Sequence, residues 1–145
     1  MFKHLLLPTD GSPLSEGAVR RGIQFARQVG AKVTGFYAMP EFRAMAYTIA
    51  MIDDGRAIFE KQATERAAEV LAFVQSIAQQ EGVPCDTVMN TSDSPHKAII
   101  KAAHDRGCDL IVMASHGRRG VEGFFVGSET IRVLTHSKIP VLVHR

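Results

Sequence analysis

Residues 109–128 read Asp109-Leu110-Ile111-Val112-Met113-Ala114-Ser115-His116-Gly117-Arg118-Arg119-Gly120-Val121-Glu122-Gly123-Phe124-Phe125-Val126-Gly127-Ser128. The run Leu110 to Met113 is apolar without alternation, as in a strand buried on both faces of a parallel sheet. The stretch after it is different in kind: four glycines, two adjacent arginines, a histidine and two serines. Glycine allows a backbone to turn its N–H groups inward and to approach a ligand closely. A Gly-Ser step opening a helix adds further N–H groups and the positive end of a helix dipole. A buried strand, a glycine-rich loop and a helix in that order point to an α/β protein that holds phosphate at the strand's carboxyl end.

The rest of the chain alternates in the same way. His4 to Leu7 is a short apolar strand ended by Pro8-Thr9-Asp10-Gly11. Ser12-Pro13 reads as an N-cap followed by proline at the first helical position. Val19, Ile23 and Ala26 then recur at helical spacing, and Gly30 closes that helix. Ala31 to Met39 alternates as a second strand. Val70, Leu71, Val74, Ile77 and Ala78 form the stripe of a helix running from about Gly55 to Glu81, which Gly82 ends. Val83 to Met89 is the third strand. Ser94-Pro95 opens a helix with Ala98, Ile99, Ala102 and Ala103 inward, ending near Gly107. Asp109 to Ala114 is the fourth strand, and Ser128 to His136 is a short helix carrying Ile131 and Leu134. Ile139 to Val143 is the last strand. Residues 40–54 show no clean period and read as an early start to the next helix or as a flexible lid.

Strand and helix alternate five times, which predicts a mainly parallel sheet with right-handed crossovers and helices on both faces. A chain of 145 residues is expected to form one domain. Seventeen basic against fifteen acidic side chains give a net +2, too small to argue for nucleic acid or a membrane surface. Attraction for an anion must then be local, with Arg118 and Arg119 as its obvious source. Cys85 and Cys108 lack metal-ligand spacing and a CxxC motif, so reduced thiols in the cytoplasm are expected. The apolar run at the N-terminus is too short for a signal peptide, and no stretch approaches the roughly 20 apolar residues of a membrane helix.

In open α/β sheets ligands bind beyond the carboxyl ends of the strands, where strand order reverses. The first strand ends in Pro8-Thr9-Asp10-Gly11 and the fourth in Ala114-Ser115-His116-Gly117. If these two are neighbours at the reversal, the order is 3-2-1-4-5 and one crevice receives both ends. Ser12 fills the cap position, which frees Asp10 to face that crevice and bind ribose hydroxyls or a metal at phosphate oxygens. Gly117, the arginine pair and Gly127-Ser128 supply the phosphate side. His116 can hydrogen-bond a phosphate, but with no nucleophile or paired carboxylate beside it no catalytic residue is assigned. His4, His96, His104, His136 and His144 show no metal spacing and read as surface or strand-end residues. GxxxxGK[ST] is absent, which excludes a P-loop NTPase, and no GxGxxG comes after the first strand. The clustered carboxylates and lysine of a phosphoacceptor receiver domain are missing as well.

Three blocks of the chain resemble the universal stress protein family. Leu7-Pro8-Thr9-Asp10-Gly11-Ser12 is similar to its opening strand and turn, and Lys138-Ile139-Pro140-Val141-Leu142-Val143 to its closing strand. Gly117, nine residues, then Gly127-Ser128 match the second half of the Gly-x2-Gly-x9-Gly-[Ser/Thr] pattern of its nucleotide-binding branch. The first glycine of that pattern is Ala114 here. The resemblance covers essentially the whole chain and implies a Rossmann-like, adenine nucleotide α-hydrolase-like fold.

Carried onto this chain, it implies that Asp10 contacts the ribose, with Pro8 and Thr9 beside the base and Ala38 at the adenine edge. Ala114 would line the ribose, while Gly117, Gly127, Ser128 and the Glu129 backbone N–H would hold phosphates. The ligand so implied is ATP, with or without Mg²⁺, or AMP. The family also forms homodimers through the last strand, here Val141, Leu142 and Val143, an edge that is otherwise apolar and unprotected. The expected function is a cytoplasmic stress-response protein that signals by nucleotide occupancy. A slow ATPase using Asp10 and His116 is one alternative. The other is a nucleotide-free interaction module, in which Ala114 marks lost binding and residues 40–54 contact a partner.

Overall fold

A computed structural model describes residues 1–43, 49–116 and 126–145. Strands β1 (His4–Pro8), β2 (Lys32–Met39), β3 (Cys85–Thr91), β4 (Leu110–Ala114) and β5 (Val141–His144) alternate with helices α1 (Pro13–Val29), α2 (Ile49–Glu81), α3 (Pro95–Asp105) and α4 (Ser128–His136). All strand pairs are parallel, and the order is β3-β2-β1-β4-β5. The order expected from the ends of the first and fourth strands is therefore the order found. β1 and β4 lie side by side in the middle, buried along their whole length, as their unbroken apolar runs require.

The two faces of the sheet carry separate cores. On one, Leu5, Leu7, Val33 and Val112 meet Val19, Ile23 and Ala26 of α1 and Val74, Ile77 and Ala78 of α2. On the other, Leu6, Phe36, Ile111 and Met113 meet Ala98, Ile99, Ala102 and Ala103 of α3 and Val133 of α4. The first two crossovers thus lie on one face and the last two on the other. Strand order reverses between β1 and β4, and the crevice at their carboxyl ends opens there.

Local signals set the element boundaries. Ser12 caps α1 by accepting the Ser15 N–H (3.3 Å), and Gly30 ends it in the left-handed conformation that its N–H bonds to Ala26 and Arg27 require. The third strand begins two residues later than the alternation from Val83 suggests. The Val83 N–H closes the end of α2 on the Ala78 carbonyl (2.9 Å), and Pro84 has no N–H to pair. Helix α2 begins at Ile49, so residues 49–54 belong to the early helix start, while 44–48 lie outside the described residues. Helix α4 turns Thr130 and Val133 inward and leaves Ile131 (49%) and Leu134 (46%) exposed. Among the described residues no helix is long and apolar enough to cross a membrane.

His4 is a strand-end residue, yet it is buried rather than on the surface. Thr34 gives its one hydroxyl proton to Asp86, so its oxygen accepts the proton on His4 Nε2 (2.7 Å). Burial, with Lys32 adding to it, holds the imidazole below its ordinary pKa despite Asp86 and Asp109. The unfolded chain therefore takes up this proton at higher pH than the folded one. Stability from His4 is complete above about pH 6.5 and is lost as pH falls from there through the lowered folded value. Urea midpoints at about pH 7.5 and about pH 5.5 should show a smaller acid loss in His4→Gln than in the parent. An equal loss in both would remove His4 as its source. The two thiols are also kept protonated by burial: Cys85 is raised, and Cys108 is pushed up to about 11.

Candidate functional site

A cavity of about 560 Å³ lies at the carboxyl edge of β1, β2 and β4, a size suited to a small organic ligand. Pro8, Thr9, Asp10, Ala38, Ala114, His116, Gly127, Ser128 and Glu129 all border it. Gly117, Arg118 and Arg119, the remaining residues singled out from the sequence, lie outside the described residues.

The wall from β1 is a tight turn. The Thr9 N–H donates to the Phe36 carbonyl (2.9 Å), extending the β1–β2 pairing one step beyond the strand. Asp10 Oδ1 accepts both the Ser12 N–H and the Ser15 hydroxyl (2.9 Å each). With its proton given to Asp10, Ser15 accepts from the Thr9 hydroxyl (2.9 Å), whose oxygen in turn accepts the Gly11 N–H (3.1 Å). Asp10 borders the cavity as expected, but Ser12 does not release it from the turn, because the carboxylate bonds the Ser12 N–H itself. Gly11 has φ +77°, which strains L side chains, and a Cβ there would lie 2.8 Å from Cγ2 of Val70 on α2. Both grounds favour glycine at this position.

The opposite wall joins β4 to α4. The Gly127 N–H donates to the Ser115 carbonyl (2.6 Å), the Thr130 hydroxyl to the Ala114 carbonyl (2.9 Å), and the Ser115 N–H to the His144 carbonyl of β5 (2.8 Å). These bonds aim the start of α4 at the cavity, and Gly127 gives that start no side-chain cap. A Cβ on Gly127 would sit 3.1 Å from both Cα and Cβ of His116. Gly127 therefore contributes closeness of approach; its own N–H is already committed, and the α4 groups available to an anion begin with Ser128. An uncapped helix start that borders the cavity suits an anionic group such as phosphate. Ala114 lies within extended β4 and pairs with His144, so no left-handed conformation is asked of it. Its methyl is accommodated by the strand.

Sequence reasoning missed a third wall at the β3–α3 junction, formed by Asp93 and Pro95, and the floor formed by Phe36 and Met113. The signal was present: in a parallel sheet every strand-to-helix junction falls on the carboxyl edge. Asp93 accepts the Glu41 N–H (3.2 Å) and the Arg43 guanidinium, including Nε (2.9 Å), and pairing with Arg43 holds its carboxyl below the usual range. Glu129 Oε2 accepts the His96 N–H (2.9 Å) and lies 3.2 Å from His96 Nδ1, while Oε1 accepts from Arg132 (2.5 Å). Partial burial pushes Glu129 up, but these bonds outweigh it and hold the carboxyl below its ordinary value. His116 borders the cavity with Nδ1 3.3 Å from the Ser115 hydroxyl.

Fold and cavity define a doubly wound α/β protein with a ligand-sized cleft at its switch point. The Universal stress protein family model matches residues 1–145, and the chain belongs to that family. It is 30% identical to the Thermus aquaticus universal stress protein in the QAH/OAS sulfhydrylase 3′ region, over the whole of both chains. It is 29% identical to universal stress protein MJ0531 of Methanocaldococcus jannaschii, covering 99% of this chain and 82% of that one. Among solved structures, MJ0577 of the same organism superposes with a TM-score of 0.82 at 27% identity, covering 99% and 95% of the two chains. An Archaeoglobus fulgidus universal stress protein in complex with dAMP shares the fold (TM-score 0.71, 19% identity, 100% and 98% covered). So does an Arabidopsis thaliana family protein with AMP bound (TM-score 0.69, 16% identity, 97% and 90% covered).

Proposed function

We propose that this chain, as a single universal stress protein domain, binds an adenine nucleotide in the cleft and acts by occupancy in a cytoplasmic stress response. ATP, with or without Mg²⁺, and AMP are the ligands in question. The observation that carries this reading is the start of α4, where Gly127 packs on His116 and leaves the helix uncapped toward a cavity shared with Asp10. Phosphate would lie at Ser128 and Glu129, where N–H groups and the helix dipole favour an anion. The sugar would lie toward Asp10 and Ala114, and the base toward Pro8, Thr9 and Ala38. The dAMP and AMP complexes of proteins with this fold support an adenine nucleotide as the class of ligand.

Self-association through β5 belongs to the same proposal. β5 is an edge strand, Leu142 is 42% exposed on it, and Ile131 and Leu134 lie half exposed on α4. An apolar sheet edge of this kind is covered when a second copy pairs with it. Mass spectrometry of the purified protein reads both points. Under native conditions the mass of two copies is expected, with an adenine nucleotide released on denaturation or taken up from added ATP or AMP. A single-copy mass would remove the dimer. Failure to take up either nucleotide, with and without Mg²⁺, would remove the ligand and favour a nucleotide-free interaction module.

A further inference from the structure

Helices α3 and α4 both start at the cleft, Pro95 and Ser128 each bordering it. Ser94, at the head of α3, makes no side-chain capping bond. The acceptor comes instead from the other helix, because Glu129 in the first turn of α4 takes the His96 N–H (2.9 Å). The protein thus places its own anion on one of two helix starts that face a single cavity. The Glu129 side chain remains 34% exposed, and Arg132 bonds its second oxygen (2.5 Å).

We infer that Glu129 sets how much phosphate charge the cleft accepts, by filling the α3 start and holding a negative charge beside the α4 start. This rests on the nucleotide reading above. Each phosphate added to a ligand at Ser128 brings more negative charge toward the Glu129 carboxylate, and finds the α3 dipole already neutralised. Arg132 offsets part of that carboxylate's charge. Glu129 is therefore a specificity-determining residue, and it favours few phosphates over many.

Two substitutions test this with opposite signs. Glu129→Gln keeps an oxygen to accept the His96 N–H and removes the charge. Arg132→Gln leaves the carboxylate without its guanidinium partner. Affinities for ATP, AMP and adenosine are measured by calorimetry on both variants and the parent, with adenosine as the phosphate-free reference. Glu129→Gln should raise the ratio of ATP to AMP affinity roughly three- to tenfold, and Arg132→Gln should lower it by a similar factor. Both changes should shrink in about 0.5 M salt, where exposed charges are screened. A structural cap alone would weaken all three ligands in parallel and leave the ratio unmoved. That result, or any pattern in which the two ratios do not move apart, overturns the inference while leaving the nucleotide reading intact. No binding of ATP or AMP by the parent protein overturns both.

Discussion

Gly127→Val is expected to weaken nucleotide binding by about a hundredfold or more while leaving the fold standing. A Cβ at this position falls 3.1 Å from Cα and Cβ of His116 and 3.3 Å from the Ser115 carbonyl oxygen. None of these is the far end of a flexible side chain, so the neighbours cannot swing aside. The bond from the Gly127 N–H to the same carbonyl (2.6 Å) holds the two segments at that spacing. Over-packing of this sort costs about 1–3 kcal/mol, and the least costly relief is to push the start of α4 away from β4. That movement carries the N–H groups of Ser128 and Glu129 off the ligand. The cores on both faces of the sheet are built elsewhere, so far-ultraviolet circular dichroism should be preserved. Gly127→Ala should fall between the two, since one methyl needs only a few tenths of an ångström of relief. Undiminished ATP affinity in a folded Gly127→Val protein would sink the placement of phosphate at this helix start.

Phe36→Ala should destabilise the protein by about 3–5 kcal/mol, a large share of the roughly 5–15 kcal/mol typical of a whole domain. Phe36 is 1% exposed and is among the largest fully buried side chains of the chain's described part. It joins Leu6, Ile99 and Ile111 in the core beneath the cleft, and it also borders the cavity. Its removal leaves a void that a rigid parallel sheet cannot collapse to fill, so the cost of the cavity adds to the lost transfer free energy. Urea denaturation monitored by circular dichroism measures the change. A loss under about 1 kcal/mol would mean that the floor of the cleft is not packed as described. Because the same side chain supports the site, ligand affinity should fall with stability, whereas Gly127→Val separates the two.

The alternation of elements was legible because its signals are local. Ser12-Pro13 at one end of α1 and Gly30 at the other act within a few residues, as does Gly82 behind α2. The strand order was legible for another reason: only the ends of β1 and β4 carried chemistry suited to a shared crevice, and parallel sheets place ligands at such ends. Residues 40–54 read as either helix or lid because no apolar period runs through them; of their described residues, 49–54 join α2 and 40–43 lie outside it.

What the chain's own order of residues determined is an α/β protein of the universal stress protein family, with Asp10 and Gly127-Ser128 brought to one edge of a parallel sheet. Caps, periodicity and unbroken apolar runs suffice for the α/β class, since each depends on neighbours along the chain. The shared edge came from where parallel sheets bind ligands, and the family from three motif blocks. The tertiary structure alone decided the pairings across long separations. It buried His4 on Thr34, anchored Asp93 on Arg43, and set Glu129 on the start of α3, 33 residues away. It also held Asp10 in the turn it was expected to leave, and placed Ala114 in extended backbone, where the difference from the family's glycine costs no strain. The register of β1 on β2 brings His4 to Thr34, and the way α3 and α4 settle on one face of the sheet brings Glu129 to His96; both are set by packing between distant segments rather than by any motif.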